Sequence, residues 1–450
     1  MSSRRTKRAY MALVMAGALS LAACTGTGGG TPGSAITDTA NQPDTTISVW
    51  VFNKLPSEVQ AIQDSIDRLQ AKYTWLHVDL VTDKDDSAFA QAVTAGIPPD
   101  VFVSPSPDNV AKFCYDETVI DMNPMLQSAG VNVATTWPAA TLAYTTYEGK
   151  QCALPLLVDA HTLLYNKDMF AKAGITEMPK TLSDLWADIQ KLTIKDASGK
   201  ITQWGITPPR SDYDSQYGWF IGGAVGAPFY DANGKTTLSS DPTWAELLNW
   251  QKKVLDYFGS KQVQDFVATY GDHTDDAQNP FTSGKSAIEF DGEWHIGEIQ
   301  QFSPSLNFGA MPMPVPDSRA DIYGAGNVAG NVVLIPSGSK NPQAAFFAVQ
   351  QLTTDTEFIT TFASAMANVP TTFDSLAAWT EASDPVWQVM IDQTKNPNSY
   401  YKTLTPVGEE DVDSWFSFVN KWETGQVSDL AGGLSALASQ IDDLNTQAVS

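Results

Sequence analysis

Cysteine, histidine and positive charge are scarce in this sequence of 450 residues. Its three cysteines and four histidines form no C-x-x-C, H-E-x-x-H or similar metal-binding spacing, and no phosphate-loop motif occurs. Lysine and arginine number 27 against 51 aspartates and glutamates, so the formal net charge is −24. A chain this acidic repels nucleic acid and anionic lipid. We therefore expect no nucleic-acid partner, no metal and no cofactor.

Long apolar runs are absent after the first residues. A basic stretch at residues 4–8 precedes an uncharged apolar run at residues 10–20, which is shorter than the roughly 20 residues that a membrane span needs. Leu21-Ala22-Ala23-Cys24 follows. This order predicts a secretory signal peptide over residues 1–23, and removal of its four basic residues takes the formal charge from −24 to −28.

The residues after the predicted signal peptide indicate a lipid anchor. Leu21-Ala22-Ala23-Cys24 is similar to the lipobox of bacterial lipoproteins, which implies acyl chains such as palmitate on Cys24. Residues 25–45 are polar and rich in glycine and threonine, so they predict a flexible tether. Cys114 and Cys152 then remain as an even pair. We expect them to form a disulfide in an oxidising compartment, with two buried free thiols as the alternative.

Strand and helix patterns alternate along the rest of the chain. Residues 47–52, 75–81 and 101–103 are β-branched and apolar, and helical periodicity lies between them. This order predicts a parallel sheet with right-handed crossovers. Ser57 and Gln60 predict a capping box for the first helix.

Two later helix starts carry a capping residue followed by proline. Asp241-Pro242 and Asn341-Pro342 each predict an N-cap with proline at the first helical position. With the earlier elements, these predict an α/β protein with more than one sheet.

Five short segments, in order along the chain, carry a family resemblance. They are similar to the patterns A-G-x-P-P-D, G-K-x-Y-G-L-P, Y-Y-N-K-D-x-F, F-x-x-G-K-A-A-M with a later G-x-W, and P-x-P. The segments are Ala95–Asp100, Gly149–Pro155, Leu164–Ile175, Phe281–Trp294 and Met311–Pro314. The chain thus resembles the family-1, maltose-binding-like extracellular solute-binding proteins of ABC importers. The resemblance implies a type II-like periplasmic-binding-protein fold, in which each of two lobes is a mainly parallel sheet flanked by helices.

The resemblance also implies where the chain crosses between the lobes, with the ligand in the cleft between them. The crossings fall near Leu157, Gly326 and Pro370. The first lobe then comprises residues 46–157 plus 327–370, and the second comprises 158–326 plus 371–450. Hinge motion of the lobes would close them over a ligand.

Polar loops after two predicted strands supply the first candidate ligand contacts. Asn53 and Lys54 follow the first strand, where the family places polar contacts; an ordinary polar turn is the alternative. Ser106 and Asp108 hold the corresponding loop after the third strand. The Asp108 carboxylate can accept two hydroxyl groups, or it can cap the next helix.

Other candidates follow from the resemblance. Asp159 stands where the maltose-binding member has an acidic ligand contact, although a hinge carboxylate is the alternative. Trp294 matches the G-x-W position, where an aromatic ring stacks on the ligand, and Glu293 precedes it. Core packing is the alternative for this tryptophan. Trp219 belongs to the aromatic segment before the family's G-G loop.

The second crossing supplies the last two candidates, Gly326 and Asn327. A glycine there can let the backbone approach a ligand or can simply bend the chain.

Carboxylates, amides and aromatic rings suit the hydroxyls and apolar faces of a sugar. We therefore expect a non-enzymatic, monomeric solute-binding protein, held at the cell membrane through Cys24, which delivers a sugar or oligosaccharide to a two-subunit ABC permease. A peptide, polyamine or phosphate ester is an alternative ligand, although the isolated arginines do not favour an anion. A glycan-active enzyme and a polysaccharide adhesin are the rival classes.

Overall fold

The computed structural model of the protein describes residues 34–209, 226–231, 233–271, 277–399 and 401–449. The predicted signal peptide, the lipobox with Cys24, and Trp219 lie outside these ranges. Within them, none of the helices combines the length and the apolar character that crossing a membrane requires.

The described chain alternates between short strands and helices. The strands are β1 (Thr45–Val51), β2 (Leu76–Val81), β3 (Val101–Ser104), β4 (Thr146–Tyr147), β5 (Lys150–Gln151), β6 (Leu154–Pro155), β7 (Leu157–Val158), β8 (Thr162–Asn166), β9 (Ile194–Lys195), β10 (Ile201–Gln203), β11 (Ile288–Asp291), β12 (Phe308–Met311), β13 (Val332–Leu334) and β14 (Val369–Pro370). The α-helices are Pro56–Lys72, Asp86–Thr94, Val110–Tyr115, Asn123–Ser128, Val133–Thr136, Ala139–Ala143, Lys167–Ala173, Leu182–Leu192, Thr243–Phe258, Ser260–Tyr270, Trp294–Phe302, Pro342–Thr354, Thr356–Met366, Phe373–Ala378, Pro385–Lys395, Glu410–Glu423 and Leu430–Ala448. Short 3₁₀ helices span Asp317–Ile322 and Thr380–Ser383.

The first sheet has five strands in the order β2-β1-β3-β13-β6. Its first two pairings, β1 with β2 and β1 with β3, are parallel as predicted. Strand β13 is antiparallel to both β3 and β6, because the chain re-enters this sheet from the opposite direction. Alternate residues of β1, such as Ile47 and Val51, are buried.

The second sheet differs from the prediction of a mainly parallel sheet. Strand β8 lies in its centre, and both β11 and β12 pair with it in antiparallel orientation. The direction of its neighbours was not predictable, because their partners are more than 100 residues away along the chain.

Three chain segments meet at the predicted crossings. Strands β7 and β14 pair in antiparallel orientation, with Leu157 opposite Pro370, and Asp159 forms an isolated bridge with Ala329. A Cβ atom at Gly330 would lie 2.1 Å from the backbone oxygen of Leu157, so only glycine permits this approach. The lobe boundaries drawn from these crossings remain a prediction.

Helix starts agree only in part with their predicted caps. The first helix begins at Pro56 after Leu55, so Ser57 lies inside it and the predicted capping box is wrong. The Asp241 carboxylate does accept the backbone N–H of Thr243, but the helix begins one residue later than predicted. The next helix does begin at Pro342, whereas the side chain of Asn341 does not cap it; that amide donates to the backbone oxygen of Thr46 instead.

A disulfide bond lies beside the first sheet. Cys114, on the Val110–Tyr115 helix, is bonded to Cys152, which precedes β6, and their Cα atoms lie 5.7 Å apart. Both cysteines are buried. A crosslink over a separation of 38 residues restricts the unfolded chain and so stabilises the fold.

Candidate functional site

Two carboxylates meet where the crossing segments converge. Asp159 follows β7, and Glu293 precedes the Trp294–Phe302 helix. The side-chain amide of Asn368, just before β14, donates to Asp159 Oδ1 at 2.9 Å and to Glu293 Oε1 at 2.7 Å. The other oxygen of Glu293 accepts the backbone N–H of Ala160 at 2.7 Å. Glu293 is fully buried and Asp159 partly exposed, so Asp159 offers the accessible edge of the pair.

The environment of Glu293 favours its protonated form. Burial raises the pKa of Glu293 to about 7, although hydrogen bonds from Ala160 and Asn368 oppose the shift. Glu293 is also hydrogen-bonded to the side chain of Asp159. A proton shared by this pair reduces the negative charge that must be buried.

Tyr144 adds a hydroxyl to this site. The residue follows the Ala139–Ala143 helix, and its ring is fully buried. Its hydroxyl has no hydrogen-bond partner in the described part of the chain. Burial first, and then the charges of Asp159 and Glu293, hold the pKa of Tyr144 well above its usual value. The hydroxyl therefore remains a neutral donor near two carboxylates.

An aromatic group lies beside the carboxylates. The ring of His161 stacks on Phe290 with centroids 5.6 Å apart and meets Trp294 edge-on at 5.2 Å. Trp294 is partly exposed, so part of its indole ring can contact a ligand. A Cβ atom at Gly292 would lie 2.1 Å from the Trp294 ring. The glycine of the G-x-W pattern is thus what allows this tryptophan to fold back over the chain.

Residues at the predicted second crossing contact the same group. The amide of Asn327 lies 3.2 Å from Nδ1 of His161. Gln393 donates to the backbone oxygens of His161 and Asn327 at 3.0 and 2.7 Å. A Cβ atom at Gly326 would lie 2.5 Å from the Gln393 side chain, and the Gly326 N–H donates to Ser399. Gly326 therefore makes room for Gln393, and its buried position does not favour a direct ligand contact.

Asp108 and Ser106 belong to a separate polar cluster. Asp108 accepts hydrogen bonds from Ser106 at 2.8 Å and from Tyr401 at 2.5 Å, and its Oδ1 lies 3.3 Å from Nζ of Lys402. Lys402 also pairs with Asp411 at 2.9 Å, and both side chains are fully buried. This cluster joins the loop after β3 to the Glu410–Glu423 helix. Asp108 does not cap a helix, because the Val110–Tyr115 helix has no side-chain cap.

The site around Asp159 and Glu293 contacts the Asp108 cluster through one tyrosine from each. The rings of Tyr144 and Tyr401 meet edge-on with centroids 6.1 Å apart. The hydroxyl of Tyr401 is bound to Asp108, whereas Tyr144 carries the unpartnered hydroxyl. The predicted residues Asp159, Glu293, Trp294 and Asn327 thus come together, and Ser106 and Asp108 lie close by.

Asn53 and Lys54 have a different environment. The Asn53 side chain is buried and donates to Glu58 at 3.2 Å, and its backbone oxygen accepts the N–H of Asp83. Lys54 is exposed. The contacts of Asn53 are those of a polar turn, the alternative that the sequence left open for both residues.

Several members of the site carried no motif in the sequence. They are Tyr144, His161, Asn368, Gln393, Tyr401 and Lys402. Asn368 immediately precedes the predicted third crossing at Pro370, and that proximity was the available signal. The others are single residues that no pattern in the sequence marks, and most of their contacts are with residues far away along the chain.

Comparison with known sequences gives the family. Residues 55–368 match the family described as bacterial extracellular solute-binding protein. A binding protein of Brucella abortus is 28% identical over 206 residues, which is 46% of this chain and 47% of that protein. The chain thus spans about half the length of the first relatives that it matches. The maltotriose-binding protein of Pyrococcus abyssi is 24% identical over 349 residues, or 76% of this chain and 69% of that protein.

Solved structures give the fold. A structure titled CpMnBP1 with mannotriose bound matches with a TM-score of 0.75 and 23% identity, and covers 88% of this chain and 99% of its own. The sugar-binding protein MalE from Xanthomonas citri matches with a TM-score of 0.73 and 18% identity, and covers 90% and 98%. The predicted two-lobed α/β fold is confirmed by these matches. With a family match over residues 55–368, the chain belongs to the bacterial extracellular solute-binding protein family.

Proposed function

We propose that this protein captures a neutral sugar or oligosaccharide at the site around Asp159, Glu293 and Trp294, without catalysing a reaction. The observation that carries the proposal is the buried Tyr144 hydroxyl, which has no described partner and lies near two carboxylates. A buried polar group without a partner costs about 1–3 kcal/mol. A ligand hydroxyl that accepts from Tyr144 and donates to Asp159 would recover that cost.

The chemistry of the surrounding groups favours a polyhydroxyl ligand over an anion. Carboxylates accept hydrogen bonds from hydroxyl groups, and the part-exposed Trp294 ring offers a face for the C–H side of a sugar. The negative charge of the Asp159–Glu293 pair would repel an anionic ligand. The names of the relatives agree, since one is a maltotriose-binding protein and one structure contains mannotriose.

The proposal extends to a transporter and an anchor. A permease of an ABC importer would receive the sugar, since the resemblance is to the binding proteins of such importers. Ligand-driven closure would then shift the protein toward the form that the permease recognises. Acylation of Cys24 would hold the protein at the outer face of the cell membrane. The tether predicted over residues 25–45 would end before Ser34, because Ser34 and Ala35 are hydrogen-bonded to Gln343 and Ser128 of the folded chain.

A ligand panel tests the proposal. We expect maltotriose or mannotriose to raise the thermal stability of the purified protein, because a ligand at 100 times its dissociation constant adds about 2.7 kcal/mol. Spermidine, a tripeptide and glucose 1-phosphate are the comparison ligands. Stabilisation by one of these alone, or hydrolysis of a chromogenic glycoside, would contradict sugar capture without catalysis.

Two variants locate the binding. Asp159→Asn should weaken the sugar's effect at least tenfold, because the amide replaces an acceptor oxygen by a donor. Asp79→Asn is the matched control, since Asp79 is exposed on β2. Equal affinity in both variants would place the ligand elsewhere.

A further inference from the structure

Four ionisable side chains converge behind the Trp294 helix. Glu289 and Asp291 are two residues apart on β11 and therefore share one face of that strand. His295 and Glu298, three residues apart, share one face of the Trp294–Phe302 helix. The side chains of Glu289, Asp291 and His295 are 1–5% exposed, whereas that of Glu298 is 22% exposed.

The two nitrogens of the His295 ring face different carboxylates. Nδ1 lies 2.7 Å from Oε2 of Glu298, and Nε2 lies 3.2 Å from Oε2 of Glu289. Asp291 Oδ2 is 3.5 Å from Nδ1, and the hydroxyl of Thr282 is 3.3 Å from Nε2. Both ring nitrogens of His295 thus lie close to side-chain oxygen atoms in a largely buried environment.

Glu289 presents one oxygen without a hydrogen bond. Its Oε1 accepts from the side-chain amide of Asn279 at 3.1 Å. Its Oε2 accepts no hydrogen bond from any other group of the described chain, so the ring of His295, with Nε2 at 3.2 Å, is its one polar neighbour there. A buried carboxylate oxygen needs a positive partner, because an unpaired charge in this setting costs several kcal/mol.

The distances suit a cation between these groups. When Nδ1 donates to Glu298, a neutral ring turns the lone pair of Nε2 toward Glu289, and two lone pairs 3.2 Å apart repel. A bound metal ion removes that repulsion. Ligand atoms at about 2.0–2.2 Å from a tetrahedral metal lie about 3.4 Å apart, and the candidate atoms of Glu289, Asp291 and His295 lie within 4.8 Å of one another.

We propose that Glu289, Asp291 and His295 bind a divalent transition-metal ion, Zn²⁺ or Mn²⁺. One imidazole nitrogen with two carboxylates suits these ions, whereas Ca²⁺ and Mg²⁺ prefer oxygen ligands alone. Glu298 is the positioning residue, because a metal-bound histidine commonly donates its second N–H to a carboxylate. The partly exposed Glu298 also marks the side from which an ion can enter.

The metal would fasten β11 to the helix that begins at Trp294. The metal site lies apart from the proposed sugar site. The neighbouring Phe290 contacts the His161 ring, and Glu293 contacts Asp159. The proposal therefore stands or fails independently of sugar binding, and its readout is metal affinity in the absence of any sugar.

Calorimetry on the purified, chelator-treated protein tests the site. We expect one equivalent of ZnCl₂ or MnCl₂ to bind more tightly than CaCl₂ or MgCl₂. His295→Gln should abolish this binding, and Glu298→Gln should weaken it about 10–100-fold. His77→Gln is the matched control, because it removes an exposed imidazole from β2. Zinc binding that persists in His295→Gln, or that disappears in His77→Gln, would overturn the proposal.

A second measurement needs no variant. X-ray absorption at the zinc edge of the loaded wild-type protein should show one imidazole, with nitrogen and oxygen ligands at about 2.0–2.2 Å. A spectrum with no imidazole or with two would overturn the assignment, and so would a failure of the chelated wild-type protein to bind either ion. That last result would leave His295 as a protonated imidazolium neutralised by its carboxylates.

Discussion

Asp159 and Glu293 share one hydrogen-bond donor, the side-chain amide of Asn368. The three residues come from different segments: the first crossing, the start of the Trp294 helix and the approach to the third crossing. The side-chain amide of Asn368 therefore links all three segments. A ligand that takes a hydrogen bond from this amide would change the contacts among these three segments. If they are the predicted crossings, such a change would couple binding to the expected hinge motion.

The first prediction concerns the hydroxyl of Tyr144. We expect Tyr144→Phe to weaken binding of the stabilising sugar about 3–10-fold, because one hydrogen bond contributes about 0.5–1.5 kcal/mol. The free energy of unfolding of the ligand-free protein should stay the same or rise, since the buried hydroxyl has no described partner. Calorimetric titration and urea unfolding give the two quantities.

Tyr115→Phe is the control for this change, because Tyr115 is 42% exposed. It should alter neither affinity nor stability. A large loss of stability in Tyr144→Phe with unchanged sugar affinity would show that the hydroxyl serves the fold rather than the ligand.

The second prediction concerns the pH dependence of stability. Burial raises the pKa of Glu293 from its ordinary 4.5 to about 7. Between these values the folded protein holds a proton that the unfolded chain releases, so this group's contribution to stability falls as pH rises from 4.5 to 7 and is constant above 7. The fall amounts to about 3 kcal/mol.

Comparison of two variants isolates that contribution. Urea unfolding at pH 5 and pH 8 should show a smaller pH difference for Glu293→Gln than for the wild type, because the amide does not ionise. Glu357→Gln, at an exposed glutamate, should keep the wild-type difference. If Glu293→Gln retains it too, Glu293 ionises at its ordinary pKa in the folded protein.

The sequence predicted those parts of the site that rest on local patterns. Asp159 and Trp294 became candidates through the family resemblance, and the G-x-W motif of Trp294 has a local cause, the room that Gly292 leaves for the indole ring. The parallel pairing of β1 with its two neighbours followed from alternating strands and helices. Each of these depends on residues near one another along the chain.

Long-range contacts were beyond such patterns. Asn368 reaches a carboxylate 209 residues away, and Tyr401 reaches Asp108 across 293 residues. No periodicity or motif marks an asparagine or tyrosine for such a partner. The same limit explains why the antiparallel second sheet was not predicted, since β8 takes its partners from distant segments.

The third prediction concerns the buried charge of Lys402. Its side chain is fully buried between Asp411 and Asp108, at 2.9 and 3.3 Å. Lys402→Met leaves both carboxylates without their cation, so we expect a loss of about 3–5 kcal/mol in urea unfolding. Lys261→Met is the matched control, since Lys261 pairs with Asp265 on the surface with 85% of its side chain exposed. It should cost less than about 1 kcal/mol, and equal losses in the two variants would contradict this account.

The fourth prediction concerns the glycine beneath Trp294. A methyl group at Gly292 would lie 2.1 Å from the indole ring, so Gly292→Ala must displace Trp294 from its place beside His161. If that ring forms part of the sugar site, affinity should fall about tenfold or more, as in Trp294→Ala, because stacking and buried area are lost together. The double variant should bind no more weakly than Trp294→Ala, since both changes remove the same contact. Additive losses would instead mean that Gly292 affects binding through the backbone, and Trp294 through a separate contact.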